Sequence, residues 1–188
     1  MVVSWSNWSA FDWGGTGSLT TMSKREAGRI FARVMDARAE RIAIFQELLA
    51  VNGIRTSDAD ESVERLSAWI VHEVTADEEL TSRPAWPWLG VAFDAGLWLG
   101  ELLIARAPGL EWKFNDFDRN ARSFRRHVIL GFHSPDKTYY EAPDFVVADA
   151  MDAAVQGNRN PRKIARWFEA VLQYEMAYRK GETPSLRR

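Results

Sequence analysis

The 188-residue chain contains no cysteine. That excludes disulfides, Fe–S clusters and thiolate zinc sites, and it fits a reducing cytoplasm. Histidine is scarce, with three in the chain. His72-Glu73 has Ala76 where the HExxH zinc motif needs its second histidine, so that motif fails. His127 and His133 lie six apart on a predicted strand, so their side chains can share a face. The span is too long for both to grip one ion unless the strand bends. No metal site and no cofactor is expected. Nucleophile and nucleotide motifs are missing too. There is no G-x-S-x-G elbow. Gly14-Gly15-x-Gly17 has neither a preceding strand nor the Lys-Ser/Thr of a P-loop. The N-terminus MVVSWSNWSAFDWGG lacks a basic region followed by a long apolar run, which argues against a secretory signal. The most apolar window, Trp88 to Ala107, carries Asp94, Glu101 and Arg106, which argues against a membrane span. A soluble cytoplasmic protein is expected.

The chain does hold enough residues for one ordinary domain, burying roughly 70% of its unfolded surface. Charge is unevenly spread along it. Residues 1–118 hold 11 Lys/Arg against 18 Asp/Glu, and residues 119–188 hold 13 against 8. Nine tryptophans are the other excess. Trp5, Trp8, Trp13, Trp86 and Trp88 fall in segments without helical periodicity. Indole rings bury large areas and favour interfaces, but filling the protein's own core is the simpler role.

Periodicity divides the chain into a Trp/Ser/Gly-rich arm over 1–21, a globular domain over 22–181 and a tail over 182–188. Ser23-x-x-Glu26 is a capping box, and apolar residues from Ala27 to Leu49 recur at helical spacing up to the Asn52-Gly53 stop. A helix over about 24–51 follows. A second, with Val63, Leu66, Trp69, Ile70 and Val74 inward, starts near 57–60 and runs to about 74. The acidic run Asp77-Glu78-Glu79 and Pro84 and Pro87 mark an irregular link. Residues 88–106 are apolar on nearly every side, as in a central packed helix. Leu110–Phe114 and His127–Phe132 read as strands, the second with Val128, Leu130 and Phe132 on one face, and Tyr139-Tyr140 as a short third. Pro143 begins a helix that ends near Gly157-Asn158. Asn160-Pro161 begins the last, reaching about Lys180 with Ile164, Phe168, Val171, Leu172 and Tyr178 inward. Helices, then strands, then helices imply an α+β fold with a small antiparallel sheet.

Two constellations bear on function. Asp94 and Glu101 stand seven apart in the apolar helix, on one face with Trp98 four residues from Asp94. At 1.5 Å per residue they are ~10 Å apart, too far to share a proton. Each needs a partner, an arginine or backbone N–H groups, because an unpaired buried carboxylate is costly by several kcal/mol. Beside them Ala92, Gly96 and Gly100 form a small-residue stripe that admits a close neighbour. Arg119, Arg122, Arg125 and Arg126, with Arg159, Arg162, Lys163 and Arg166, form the second constellation. They suit a phosphate or acidic patch, or a solvated loop paired with the acidic first half.

Asp94, Gly96, Gly100 and Glu101, followed by Pro108-Gly109-Leu110 with Trp112 and then Val128-Ile-Leu-Gly-Phe132, give the chain a resemblance to a family of uncharacterised bacterial single-domain proteins. Ala27, Arg41 and Leu48-Leu49 of the first helix resemble that family's opening. The likeness spans about 22–175 and leaves the arm outside. It implies an immunity-protein-like molecule, since small proteins of this kind are discussed as neutralisers of polymorphic toxins. Arg126-His127 departs from the family pattern, which has a proline there. The expectation is a non-enzymatic module that binds a protein, a toxin in the immunity case, and neither a membrane nor nucleic acid; self-association stays open. Its structural or partner-binding residues are Asp94, Gly96, Trp98, Gly100, Glu101, Trp112, Arg125 and Arg126. The alternatives are an enzyme built on Asp94 and Glu101 with Arg125 or His127, and a nucleic-acid-associated protein using the segments 119–126 and 159–166.

Overall fold

A computed structural model describes residues 3–14, 18–56 and 59–182. Residues 15–17 of the glycine-rich segment, the two residues just before the second helix and nearly all of the C-terminal tail lie outside the described residues. The fold is α+β, with five helices and a two-stranded antiparallel sheet.

Helix α1, Lys24–Val51, begins at the capping box read from the sequence. The Ser23 hydroxyl accepts from the Glu26 N–H at 3.2 Å, and Glu26 accepts from the Ser23 N–H at 2.9 Å. Two otherwise orphaned donors are thereby satisfied. Helix α2, Ala59–Glu73, is amphipathic, with Val63, Leu66, Ile70 and Val71 buried. Helix α3, Trp86–Arg106, starts two residues before the expected point because Pro87 falls in its first turn, where its missing N–H has no consequence. From Val91 to Gly100 every residue of α3 is buried. Its length and composition are those of a membrane-crossing helix, but 67% of that apolar stretch is buried inside the molecule itself. Helix α4, Pro143–Val155, and helix α5, Lys163–Arg179, complete the helical set. Helix α5 begins later than Asn160-Pro161 suggested. Asn160 instead accepts from the Arg162 N–H at 3.1 Å, closing a turn that precedes the helix.

Strand β1, Glu111–Phe114, pairs with β2, His127–Leu130, with Trp112 opposite Ile129. The third strand expected at Tyr139-Tyr140 is a single bridge one residue later, where Glu141 exchanges both backbone hydrogen bonds with Ile129. Pro143, which opens α4 and has no N–H, stops the pairing there. The one-face pattern expected for β2 is also corrected. His127, Val128 and Ile129 are all buried, because both faces of this short strand are covered.

Small residues set how closely α3 is approached. A Cβ on Gly96 would stand 2.5 Å from the backbone nitrogen of Asp144, so α4 begins directly against it. A Cβ on Gly100 would collide with the Trp112 ring, which lies over that position beside Ile129. The stripe therefore seats a helix start at one notch and an indole at the next. Gly96→Ala is expected to lower stability by about 2 kcal/mol, since a backbone neighbour cannot yield. Gly28→Ala in α1, which meets nothing within 4 Å, should raise stability by up to about 1 kcal/mol. Urea midpoints at unchanged m-value measure both.

Candidate functional site

Asp94 is fully buried on α3 and holds three donors. Arg41 of α1 reaches it bidentately, Nε to Oδ1 at 3.0 Å and Nη2 to Oδ2 at 2.5 Å. The Trp8 indole N–H donates to Oδ2 at 2.8 Å. Arg41 Nη2 also donates to the Ser9 carbonyl at 2.8 Å. Burial raises the Asp94 carboxyl above its ordinary value, against the opposing pull of Arg41 and Trp8. Glu101, two turns on, repeats the scheme in a wetter setting. Arg38 Nε lies 2.9 Å from Oε1, and the Trp112 indole donates to the same oxygen at 2.8 Å. Each acid thus has one arginine of α1 and one indole N–H, and neither faces an open cavity.

Trp8 brings the N-terminal arm with it. Asn52, past the end of α1, clasps the arm further back, its side chain exchanging two hydrogen bonds with the Ser4 backbone at 3.0 and 2.9 Å. Trp5 packs on Trp8 and on buried Trp88, both at 5.4 Å between ring centroids. Phe11 stacks on Phe93 at 5.5 Å, and Trp13 meets the same ring edge-on at 6.2 Å. The arm's rings are half-buried against their own domain. Trp86 differs, being 69% exposed.

A cleft of about 660 Å³ opens along this arm, within the size range of ligand sites. Ala10, Phe11 and Trp13 of the arm form one wall. The link contributes Asp77, Leu80, Arg83 and Pro84, and α3 contributes Trp86, Leu89, Gly90, Ala92 and Phe93. Opposite stand Asp144, Phe145, Ala148 and Asp152 of α4, with Arg122 and Arg126. Leu80 and Leu89 are 55% and 41% exposed, so the mouth is apolar as well as the interior.

One end of the cleft is charged. Arg126 Nη2 donates to Asp144 Oδ2 at 2.8 Å, and the guanidinium lies 4.9 Å from the Phe145 ring and 5.4 Å from Trp13. Arg122 pairs with Asp149 at 2.6 Å and lies over Phe145. His127 sits behind them, edge-on to Phe93 and Trp112 at 5.5 Å each, with Nε2 3.7 Å from Asp144 Oδ2. Among the described residues, Arg126 Nε, His127 Nε2 and Asp144 Oδ1 are buried without hydrogen-bond partners. Desolvation pushes His127 down to about 4; Asp144 opposes this and Arg126 adds to it. Arg125, next in the chain, adopts a left-handed backbone with φ of 63°, and its N–H donates to the Asn115 carbonyl. That conformation turns the chain at the end of the β1–β2 ladder and sends Arg126 towards α4.

The structure therefore sorts the residues singled out in the sequence. Arg126 lines the cleft. Asp94 and Glu101 anchor α1 to α3, while Gly96 and Gly100 are contact notches. Trp98 is core, 6.2 Å from Phe45, and Trp112 covers Gly100 and holds Glu101. Arg125 stacks on Phe124 at 4.9 Å. The loop arginines Arg122 and Arg126 pair with acids of α4, not with the acidic first half that the solvated-loop option offered. Arg162 does reach that half, bonding Glu64 at 2.8 Å, and Arg159 donates to the Val71 and His72 carbonyls at the end of α2. His127 and His133 do not share a site; His133 bonds Glu175 at 2.7 Å. Among the described residues no group of three His, Asp or Glu side chains is arranged to hold a metal ion. Sequence reasoning missed Asp144, Phe145, Leu80 and Leu89. The only local signal was Asp144 following Pro143 at a helix start.

Two outcomes test this geometry. Asp94→Ala should cost about 3–5 kcal/mol, because it strands a buried guanidinium, and the double Arg41→Met/Asp94→Leu should recover most of that loss. A double-mutant cycle in guanidinium chloride reads the coupling. His127 is neutral in the fold and titrates near 6.5 when unfolded, so its stabilising effect is full above pH 6.5 and declines as pH falls towards 4. The full loss is about 3 kcal/mol for a displacement of this size. His127→Gln should flatten the slope of stability between pH 6.5 and 5; an unchanged slope would show that another group carries it.

In comparisons with known proteins, no family model, no curated protein and no solved structure matches the chain.

Proposed function

We propose that the chain is a cytoplasmic, non-enzymatic module that binds a protein through the mouth of the cleft. The observation that carries this reading is Trp86, exposed at 69% and lining an aromatic-rich cleft together with exposed Leu80 and Leu89. Large apolar side chains grouped at a concave mouth suit a partner's anchor residue, and tryptophan is among the side chains that contribute most when an interface closes. Trp5 and Trp8 of the arm, half-buried on their own domain, lie outside the cleft lining, whereas Trp13 forms part of its wall.

The sequence resemblance supports a toxin as the partner class and an immunity protein as the role. The carboxylate enzyme has less in its favour, since Asp94 is sealed under Arg41 and Trp8 and neither Asp94 nor Glu101 lines the cleft. For the nucleic-acid reading, Arg122, Arg126, Arg159 and Arg162 already hold partners within the chain.

Affinity purification from the source organism, read by mass spectrometry, tests the proposal. The native chain should retain a stoichiometric protein, and Trp86→Ala with Leu89→Ser should lose it while keeping native circular dichroism. Recovery of no stoichiometric partner by the native chain would count decisively against it.

A further inference from the structure

The charges around the cleft define the kind of segment that enters it. Three arginines and three acids line the cavity, a balance that looks neutral. The pairing is not. Arg126 is held by Asp144 at 2.8 Å and Arg122 by Asp149 at 2.6 Å, so both cations are neutralised within the chain. What remains is Asp77 and Asp152 in the lining, with Glu78 and Glu79 adjoining Asp77 and Leu80 on the link, against Arg83. None of these four acids has a salt-bridge partner among the described residues. Asp77 is held below its ordinary value by the backbone N–H groups of Leu80 and Glu79, so it stays charged at neutral pH. The rim is net negative around an apolar mouth made by Leu80, Trp86 and Leu89.

We infer that the cleft takes a basic, apolar-anchored segment of a partner protein, with hydrophobic side chains entering beside Trp86 and flanking Lys or Arg meeting Asp77, Glu78, Glu79 and Asp152. This rests on the binding-module reading and adds the partner's chemistry. Charges at a rim set encounter rate and selectivity, and apolar anchors set residence time. The same excess of acids opposes nucleic acid, anionic lipid and an acidic peptide. On α3, Trp86, Leu89, Gly90 and Phe93 recur at helical spacing along the wall, which presents an apolar strip to an incoming amphipathic helix.

The test uses the full chain and two fluorescein-labelled amphipathic peptides of about 14 residues, roughly four helical turns. Both carry leucine at the same helical spacing; one has lysine and the other glutamate elsewhere. Fluorescence anisotropy should show the lysine peptide binding at least about tenfold more tightly than the glutamate peptide. High salt should weaken the lysine peptide, since rim charges are screened. Trp86→Ala, and separately Glu79→Lys with Asp152→Lys, should each weaken it by about tenfold or more. Glu47→Lys, on the exposed face of α1, changes net charge in the same direction and should leave binding unchanged. Equal affinity for the two peptides, no binding of either, or lysine-peptide binding that survives Trp86→Ala would each overturn the inference. So would sedimentation showing a dimer that depends on Trp86, because a second copy would then occupy the cleft. If the native partner is lost with Trp86→Ala but kept with the Glu79 and Asp152 reversals, only the charge inference fails and the binding-module reading stands.

Discussion

The buried contact of Arg41 with Asp94 is the constraint on which the rest of this structure hangs. A carboxylate removed from water is stable only if its lone pairs are satisfied. Here a bidentate guanidinium and the Trp8 indole do so together. Because Arg41 belongs to α1, Asp94 to α3 and Trp8 to the arm, satisfying one charge fixes three parts of the chain. Arg41 also takes the Ser9 carbonyl, so the arm is held at its backbone as well as by a ring. Phe11 and Trp13 then follow along α3 onto Phe93, and those residues are a wall of the cleft. One wall of the cavity thus follows from how a buried acid is neutralised some distance from it.

The second acid shows how much the surroundings decide. Glu101 has the same kinds of partner, an arginine of α1 and an indole N–H, but it is half-exposed. Water screens the pair, so it contributes little beyond aligning α1 and seating Trp112. As α3 advances from Asp94 to Glu101, α1 is read backwards from Arg41 to Arg38. One contact is an anchor and the other a guide, although their chemistry is nearly the same.

Asp144 plays a third part at the start of α4. A carboxylate in the first helical turn is favoured by the helix dipole, and here it also attracts Arg126 and sits beside neutral His127. Gly96 makes this possible, because any side chain there would displace the first turn of α4. The left-handed Arg125 delivers Arg126 from the other side. These are contacts between segments some tens of residues apart. The arginine run 119–126 was conspicuous in the sequence, yet its electrostatic partners became visible only when α4 was seen beside it.

Local physics made much of the fold legible. The Ser23–Glu26 capping box, the Asn52-Gly53 stop, Pro143 at a helix start and the all-round apolar α3 each act through near neighbours, and each marks an element in the structure. The notches at Gly96 and Gly100 announced close approach because absent side chains leave space whatever fills it. The same reasoning misplaced the third strand and the one-sided burial of β2, since pairing and coverage depend on what arrives from elsewhere in the chain. It also grouped Trp86 with Trp88, although one is exposed and the other buried, because a tryptophan's burial depends on which neighbours reach it. By itself the sequence determined the order of the helices, where α1 begins and ends, and that both acids of α3 needed partners. Only the tertiary structure decided which arginines and indoles those partners are, and that an apolar cleft opens beside them, because long-range packing and desolvation are properties of the assembled chain.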